Sequence, residues 1–412
     1  MTLTMYKNAS LIPIAREGVV PGVDLFTEGG IITRIVPSGE VLPRDAQVID
    51  CTGKFLLPGL IDAHIHLLPG CENDLKVMAA HGITSARNMW GNQPLDLDTP
   101  GVDSQQLGEE ITAGRTVGPI LVNTSRILDG AQPVQACSRS VNTWVQAELF
   151  INEAIKEGAT QLKVYKGLLI EVMDALYDLG KERGLRIVGH KPDRVLAEDF
   201  FSKAHSVEHT ITFALEHVPA LQRSKCYFVP TLVVEKVMDI LTKDEGTRLA
   251  EEGQAYVRYI HPLVARLWQE ASGEEMCQKI KELANFELAR KKVEAYVALG
   301  GIPAAGTDFP NPYVYPGISL HEELELLQDC GLSNQQVLFA ATLQGAHVLE
   351  IEDRKGTLEI GKDADLLLLN ANPLDDIHNT MSIAGVALRG RYFDRPALDR
   401  LLEEAARGVQ DA

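Results

Sequence analysis

The stretch PGLIDAHIHL, Pro58 to Leu67, constrains the chain more than any other. Pro58 and Gly59 interrupt what precedes them, and Leu60 to Leu67 then reads as a short apolar strand. Side chains alternate across a strand, so Asp62, His64 and His66 share one face while Ile61, Ala63 and Ile65 pack on the other. Two imidazoles on one face, two residues apart, can ligate a single metal ion. The plainer reading, two histidines alternating in a surface strand, fits poorly with neighbours this apolar. What decides between the two is whether the chain brings further ligands to strand ends.

With 412 residues, 45% of them apolar, the chain can bury a large core, as one barrel domain with an accessory or as two ordinary domains. A formal net charge of -18 opposes a nucleic acid or an anionic membrane as partner, because the mean field repels both. A small-molecule substrate is the expected partner. Six cysteines, at 51, 71, 137, 226, 277 and 330, are scattered without a Cys-x-x-Cys pair, which suggests reduced thiols in a cytoplasmic protein. The N-terminal MTLTMYKNASLIPI has no basic run leading into a long apolar stretch, and no later segment is apolar enough to span a bilayer, so a soluble, unprocessed chain is expected. Whether copies assemble as a homo-oligomer is not legible in the sequence.

The first 57 residues read as short strands around Met5 to Ile12, Val23 to Thr27, Ile31 to Val36 and Val48 to Ile49, with Gly29 and Gly30 suited to a hairpin turn. They cannot make a core alone. Residues 357–412 supply the complement in Ala364 to Asn370, Ile383 to Leu388 and Tyr392-Phe393, so a small β-sandwich assembled from both chain ends is expected, followed by a terminal helix.

Residues 58–356 alternate apolar strands with amphipathic helices such as Val172 to Arg183, apolar at Val172, Leu176 and Leu179. Leu60 to His66, Ile83 to Met89, Pro119 to Thr124, Gln161 to Tyr165, Leu185 to His190, His205 to His209, Tyr227 to Val234 and Ile302 to Thr307 make eight βα units. That number implies an α/β fold of the (β/α)8 TIM-barrel type, with its chemistry at the C-terminal ends of the strands. The charged stretch Glu235 to Leu299 carries no strand signal and reads as a helical insertion before the eighth strand.

Four expected strand ends carry metal-competent groups: Lys163 in LKVYKG, His190 in IVGHKP, His209 in HSVEHT and Asp308 in AAGTDF. Each alone is more simply a structural polar residue, and GTD alone a turn. Their coincidence with the His64 and His66 pair favours a shared metal site. His205 shares strand parity with His209 but would sit at the opposite end of the barrel, and His81, His217, His261, His321, His347 and His378 fall on helices or loops.

The order His-x-His, Lys, His, His, Asp on eight strands resembles the metal-dependent amidohydrolase superfamily over nearly the whole chain. AATLQGAHVL is similar to the helix that follows the eighth strand there, GTLEIGKDADLLLLNANPL to the return into the β-sandwich, and LKVYKG to the prolidase- and imidazolonepropionase-related branch. Where many relatives carry Arg-Asp after the second strand, this chain has Arg87-Asn88, which puts in doubt any supporting role carried by that aspartate. The resemblance implies two divalent ions held by His64, His66, Lys163, His190, His209 and Asp308, with Lys163 N6-carboxylated. A protonated ammonium cannot ligate a cation, whereas a carbamate offers two anionic oxygens. Imidazole and carboxylate donors suit zinc, though manganese, iron or cobalt fit the same set. Asp62 could orient an imidazole or be a satisfied structural carboxylate.

Three functional readings stand at this stage. A binuclear hydrolase would cleave the C–N bond of a small-peptide or non-peptide amide, such as a dipeptide, an N-acyl amino acid or a cyclic amide. A metal-activated hydroxide would attack, Asp308 would shuttle the proton, and Tyr165 would hydrogen-bond the substrate. A mononuclear deaminase of the same fold usually continues its histidine strand as His-x-x-Glu, and here Lys191-Pro192-Asp193 follows His190. A non-enzymatic barrel scaffold should lack ligands, and none is missing.

Overall fold

The computed structural model describes residues 3–39, 45–243, 246–271 and 284–411. Cys277 and parts of the stretch from 235 to 299 lie outside them, and the other five cysteines are free thiols, as expected.

The chain opens with β1 (Leu3–Leu11), β2 (Val20–Glu28), β3 (Ile31–Pro37), β4 (Gln47–Asp50) and β5 (Phe55–Pro58). Gly29 and Gly30, both at positive φ (61° and 83°), form the two-residue turn between β2 and β3, a conformation that a side chain resists. Next come β6 (Leu60–Ile65), β7 (Ile83–Asn88) and β8 (Ile120–Asn123), which form one parallel sheet. A second parallel sheet holds β9 (Leu128–Asp129), β10 (Arg139–Ser140), β11 (Gln161–Val164), β12 (Arg186–Gly189), β13 (Ser206–Glu208) and β14 (Tyr227–Val229), in the order β10-β9-β11-β12-β13-β14. Helices return the chain between strands. The one expected at Val172 to Arg183 spans Ile170–Glu182 and buries Val172, Leu176 and Leu179. This is a TIM-barrel-like α/β fold.

The regular strands stop short of one closed ring. Between the two sheets, Thr124 bridges Gln161 in parallel, with Ser125 N donating to Gln161 O at 2.7 Å. On the far side, the segment expected as an eighth strand, Ile302 to Thr307, has no regular strand geometry. Pro303 lacks a donor and Gly306 weakens any strand it enters. The segment still exchanges single bonds with both neighbours: Ala304 N donates to Phe228 O at 2.8 Å, Ala63 N to Ala305 O at 3.0 Å, and Asp308 N to His64 O at 2.8 Å. The seventh strand is also shorter than expected. It ends at Val229, because Pro230 and the left-handed Thr231 break it, and a helix runs from Leu232 to Leu241. Gly246–Glu252, Pro262–Ala271 and Phe286–Ala298 are further helices in the stretch that lacked a strand signal.

The chain ends with β15 (Leu366–Leu369), β16 (Ile383–Leu388), β17 (Arg391–Asp394) and a helix, Arg395–Gln410. β15 pairs antiparallel with β5 and β5 pairs with β1, so both ends share one eight-stranded sheet, ordered β17-β16-β15-β5-β1-β2-β3 with β4 on β1. Leu25, Leu56, Leu366 and Leu368 are buried in one cluster drawn from both ends. Tyr6 of β1 packs edge-on against Tyr392 of β17, with centroids 5.9 Å apart.

Candidate active site

β6 delivers its histidines as its alternation requires. His64 is fully buried, and His66, just past the strand end, lines a cavity of about 280 Å³. Asp308 faces both, its Oδ1 2.6 Å from His66 Nε2 and 3.3 Å from His64 Nε2. One ligand atom from each of these three residues lies within 4.8 Å of the others. Asp308 Oδ2 is 3.8 Å from His209 Nε2, and Lys163 Nζ is 3.5 Å from His64 Nε2. His190 sits edge-on to His209 at 4.8 Å and stacks on Tyr165 at 3.9 Å. All six expected ligands and Tyr165 therefore gather in one place. The two short loops that carry His209 and Asp308 do so with left-handed backbones (φ 61° and 60°), strained conformations that cluster where side-chain aim matters.

Electrostatics follow from burial. Desolvation holds His64 and His190 well below the usual imidazole range and His209 at about 4, so these rings are neutral and offer lone pairs. Burial lowers the Lys163 ammonium to about 8, against the opposing pull of Glu208 and Asp308. For Asp308, burial pushes upward, but His209, His66 and Lys163 outweigh it and keep the carboxyl below its usual value.

Sequence alone does not single out the groups that hold these side chains. Glu208, fully buried beside His209 in the chain, takes His64 Nδ1 at 2.9 Å on Oε2. Its Oε1 accepts from Arg87 Nη2 at 2.8 Å, and the guanidinium also donates to Ala63 O, Gln161 Oε1 and Ser206 Oγ. The available signal is an inward carboxylate two residues after Ser206 on a strand, with a buried arginine to match it. Asp62, expected either to orient a ring or to be structural, does the latter: it accepts from His64 N, Thr307 N and Thr307 Oγ1. Asn88 accepts from Leu67 N and Trp90 N and shapes the loop after β7.

Thr231 does for His209 what Glu208 does for His64. Its Oγ1 lies 2.7 Å from His209 Nδ1 and 2.8 Å from Pro230 O. Both bonds coexist only if the hydroxyl donates to the carbonyl and accepts from Nδ1–H, which leaves the Nε2 lone pair facing Asp308. The parity expected between His205 and His209 does not apply, because the strand covers only Ser206–Glu208 and His209 turns out of it. His205 is at the opposite end, as expected, with Nε2 bonded to Val348 O at 3.0 Å.

Around this centre the cavity has two lobes. Trp90, Leu95, Leu267, Trp268, Pro310 and Pro312 wall the first. The second, of about 390 Å³, shares Gln135, Tyr165, His190, His209 and Asp308 with it and is walled by Val134, Lys166, Ile211, Val234 and Met238. Burial raises the Tyr165 phenol, and neighbouring Gln135 opposes that rise.

The chain is similar to several known proteins. A sequence model of the amidohydrolase family matches residues 289–392. The imidazolonepropionase of Geobacillus kaustophilus (strain HTA426) is 23% identical over 89% of each chain. Among solved structures, a putative prolidase from Bifidobacterium longum superposes with TM-score 0.76 at 21% identity, covering 98% of this chain and 99% of its own. Bottromycin amidohydrolase superposes with TM-score 0.78 at 23% identity, covering 99% and 90%. The family model, the full-length relatives and the shared fold together support the amidohydrolase superfamily.

Proposed function

We propose that the protein is a metal-dependent hydrolase that cleaves the amide C–N bond of a small substrate such as a dipeptide, an N-acyl amino acid or a cyclic amide. The single observation that carries this reading is the convergence of four imidazoles, one carboxylate and one amine on one end of the fold. Prolidase, Xaa-Pro dipeptidase and bottromycin amidohydrolase, named among the structural relatives, support the same bond class.

The residues fit a bound divalent metal. Three of the rings are held neutral, and His190 Nδ1 is buried without a hydrogen-bond partner among the described residues, a cost that coordination through that atom would offset. His64, His66, His190, His209, Asp308 and a carboxylated Lys163 would hold two ions, and zinc suits the donor set. When bound, such ions supply Lewis acidity toward the amide carbonyl and deprotonate water near neutral pH. The chain's own groups do the rest. Glu208 and Thr231 fix the tautomers of His64 and His209. Asp308, already held anionic, takes one proton from the attacking water and passes it to the departing nitrogen, which leaves as an amine. Tyr165 and Gln135 stand at the junction of the lobes, placed to hydrogen-bond the substrate.

The same reading takes the segment 302–309 as the eighth stave of a closed barrel, since it bonds to β14 and β6 where a strand would. It takes the terminal sheet as a β-sandwich folded over on itself. Tyr6 and Tyr392 stand four strands apart in the sheet order, roughly 19 Å if the sheet were flat at 4.7–4.9 Å per strand, yet their rings touch. Incubating metal-loaded and chelator-stripped protein with a panel of dipeptides, N-acyl amino acids and cyclic amides tests the function. Amine release that disappears on stripping and returns with zinc is expected; release untouched by stripping contradicts it.

A further inference from the structure

The two lobes differ in the side chains they carry outside the reacting centre, and the difference discriminates among amides. The Trp90 and Trp268 lobe is apolar and aromatic, and the only acid among its described lining residues is Asp308, which belongs to the reacting centre. A free ammonium, such as the N-terminus of a dipeptide, finds no further carboxylate there. The second lobe is also apolar but carries Lys166, half-buried, which makes no ion pair among the described residues. Glu235 shares this wall; its Oε1 accepts from Thr210 N at 3.1 Å and Thr210 Oγ1 at 3.0 Å, and burial raises its carboxyl toward the neutral acid. In a chain of net charge -18, a lysine set into an apolar wall beside the reacting centre offers an anion a local positive charge. Its positive field reaches His190, at the junction of the lobes.

We propose that the substrate is an N-acylated α-amino acid with a bulky apolar acyl group, the acyl group seated in the Trp90 and Trp268 lobe and the α-carboxylate held by Lys166 in the second. This rests on the hydrolase reading above and selects one substrate class within it. Hydrolysis adds the hydroxyl of water to the acyl carbon, breaks the C–N bond and returns the remaining proton to nitrogen. The products are a carboxylic acid and a free amino acid. Lys166 reads the half of the substrate that leaves, and the two tryptophans read the half that is attacked.

The test uses N-benzoyl-L-leucine, its carboxamide N-benzoyl-L-leucinamide, and the dipeptide L-phenylalanyl-L-leucine, with binding followed by titration calorimetry alongside turnover of the benzamide bond. A charge-assisted hydrogen bond from Lys166 predicts about 10- to 100-fold preference for the carboxylate over the carboxamide, expressed in KM rather than kcat. Lys166→Met should collapse that preference to near parity, and Lys166→Arg should keep it. Equal treatment of carboxylate and carboxamide by the wild type, better use of the dipeptide, no binding of either benzoyl compound, or an undiminished preference in Lys166→Met would each overturn the assignment. Lys166-dependent binding without turnover would support the subsite and count against the hydrolase reading. Amide cleavage without carboxylate preference would do the reverse.

Discussion

Arg87 and Glu208 form a fully buried ion pair, Nη2 to Oε1 at 2.8 Å, and the second oxygen of the same carboxylate takes Nδ1 of His64. One glutamate thus balances a cation from β7 and fixes a ring from β6. Arg87→Met leaves the carboxylate buried and uncompensated, and loss of one partner of a buried pair costs about 3–5 kcal/mol. Urea unfolding of metal-free protein should show a loss of that order. Stability equal to wild type would mean that the pair is not coupled to the fold.

Thr231→Val keeps shape and branching at a left-handed position but removes the acceptor for His209 Nδ1–H. In nitrogen-15 spectra of the metal-free protein, His209 should lose its single Nδ1–H tautomer, and zinc affinity should fall about 10- to 100-fold. Thr231→Ser should restore both. A tautomer unchanged in Thr231→Val would show that another group fixes this ring.

Lys163 sets a pH dependence with a definite sign. Burial depresses its folded-state pKa to about 8, so the ammonium persists below that value, repelling cations and unable to form a carbamate. Metal uptake by stripped protein in bicarbonate buffer should therefore rise as pH climbs through about 8, and Lys163→Met should flatten the profile. Uptake that falls over the same interval would contradict the assigned role.

Asp308→Asn suits the backbone, since asparagine tolerates the left-handed conformation found there. It removes the proposed proton acceptor and leaves the other metal-competent side chains in place. Turnover on an identified amide should drop by about 10² to 10⁴ with the fold intact by circular dichroism. Near-normal turnover would dismiss the proton shuttle.

Much of this is legible from alternation and punctuation. The placement of His64 and His66 follows from a period of two inside an apolar run, and the meeting of the chain ends follows from two sets of strands each too small for a core. What the sequence hides depends on partners far apart along it. Glu208 looks like any strand glutamate until Arg87, from 121 residues away, is seen to meet it. Ile302 to Thr307 is apolar enough to read as a full eighth strand, while Pro303 denies it the ladder. The seventh strand reads too long because the apolar run continues through Leu232 to Val234, where Pro230 and Thr231 have already turned the backbone into a helix. His209 reaches the site by leaving its strand, which no parity rule anticipates.

The central claim is that six side chains from five places along the chain, two of them from β6 and its end, hold metal, and elemental analysis of the purified protein tests it most directly. Protein prepared without chelator should carry two divalent ions per chain, and a His64→Ala, His66→Ala double variant should lose metal and amide hydrolysis together. A metal-free protein whose hydrolysis is undiminished, or a double variant that retains its full complement of ions, would contradict it.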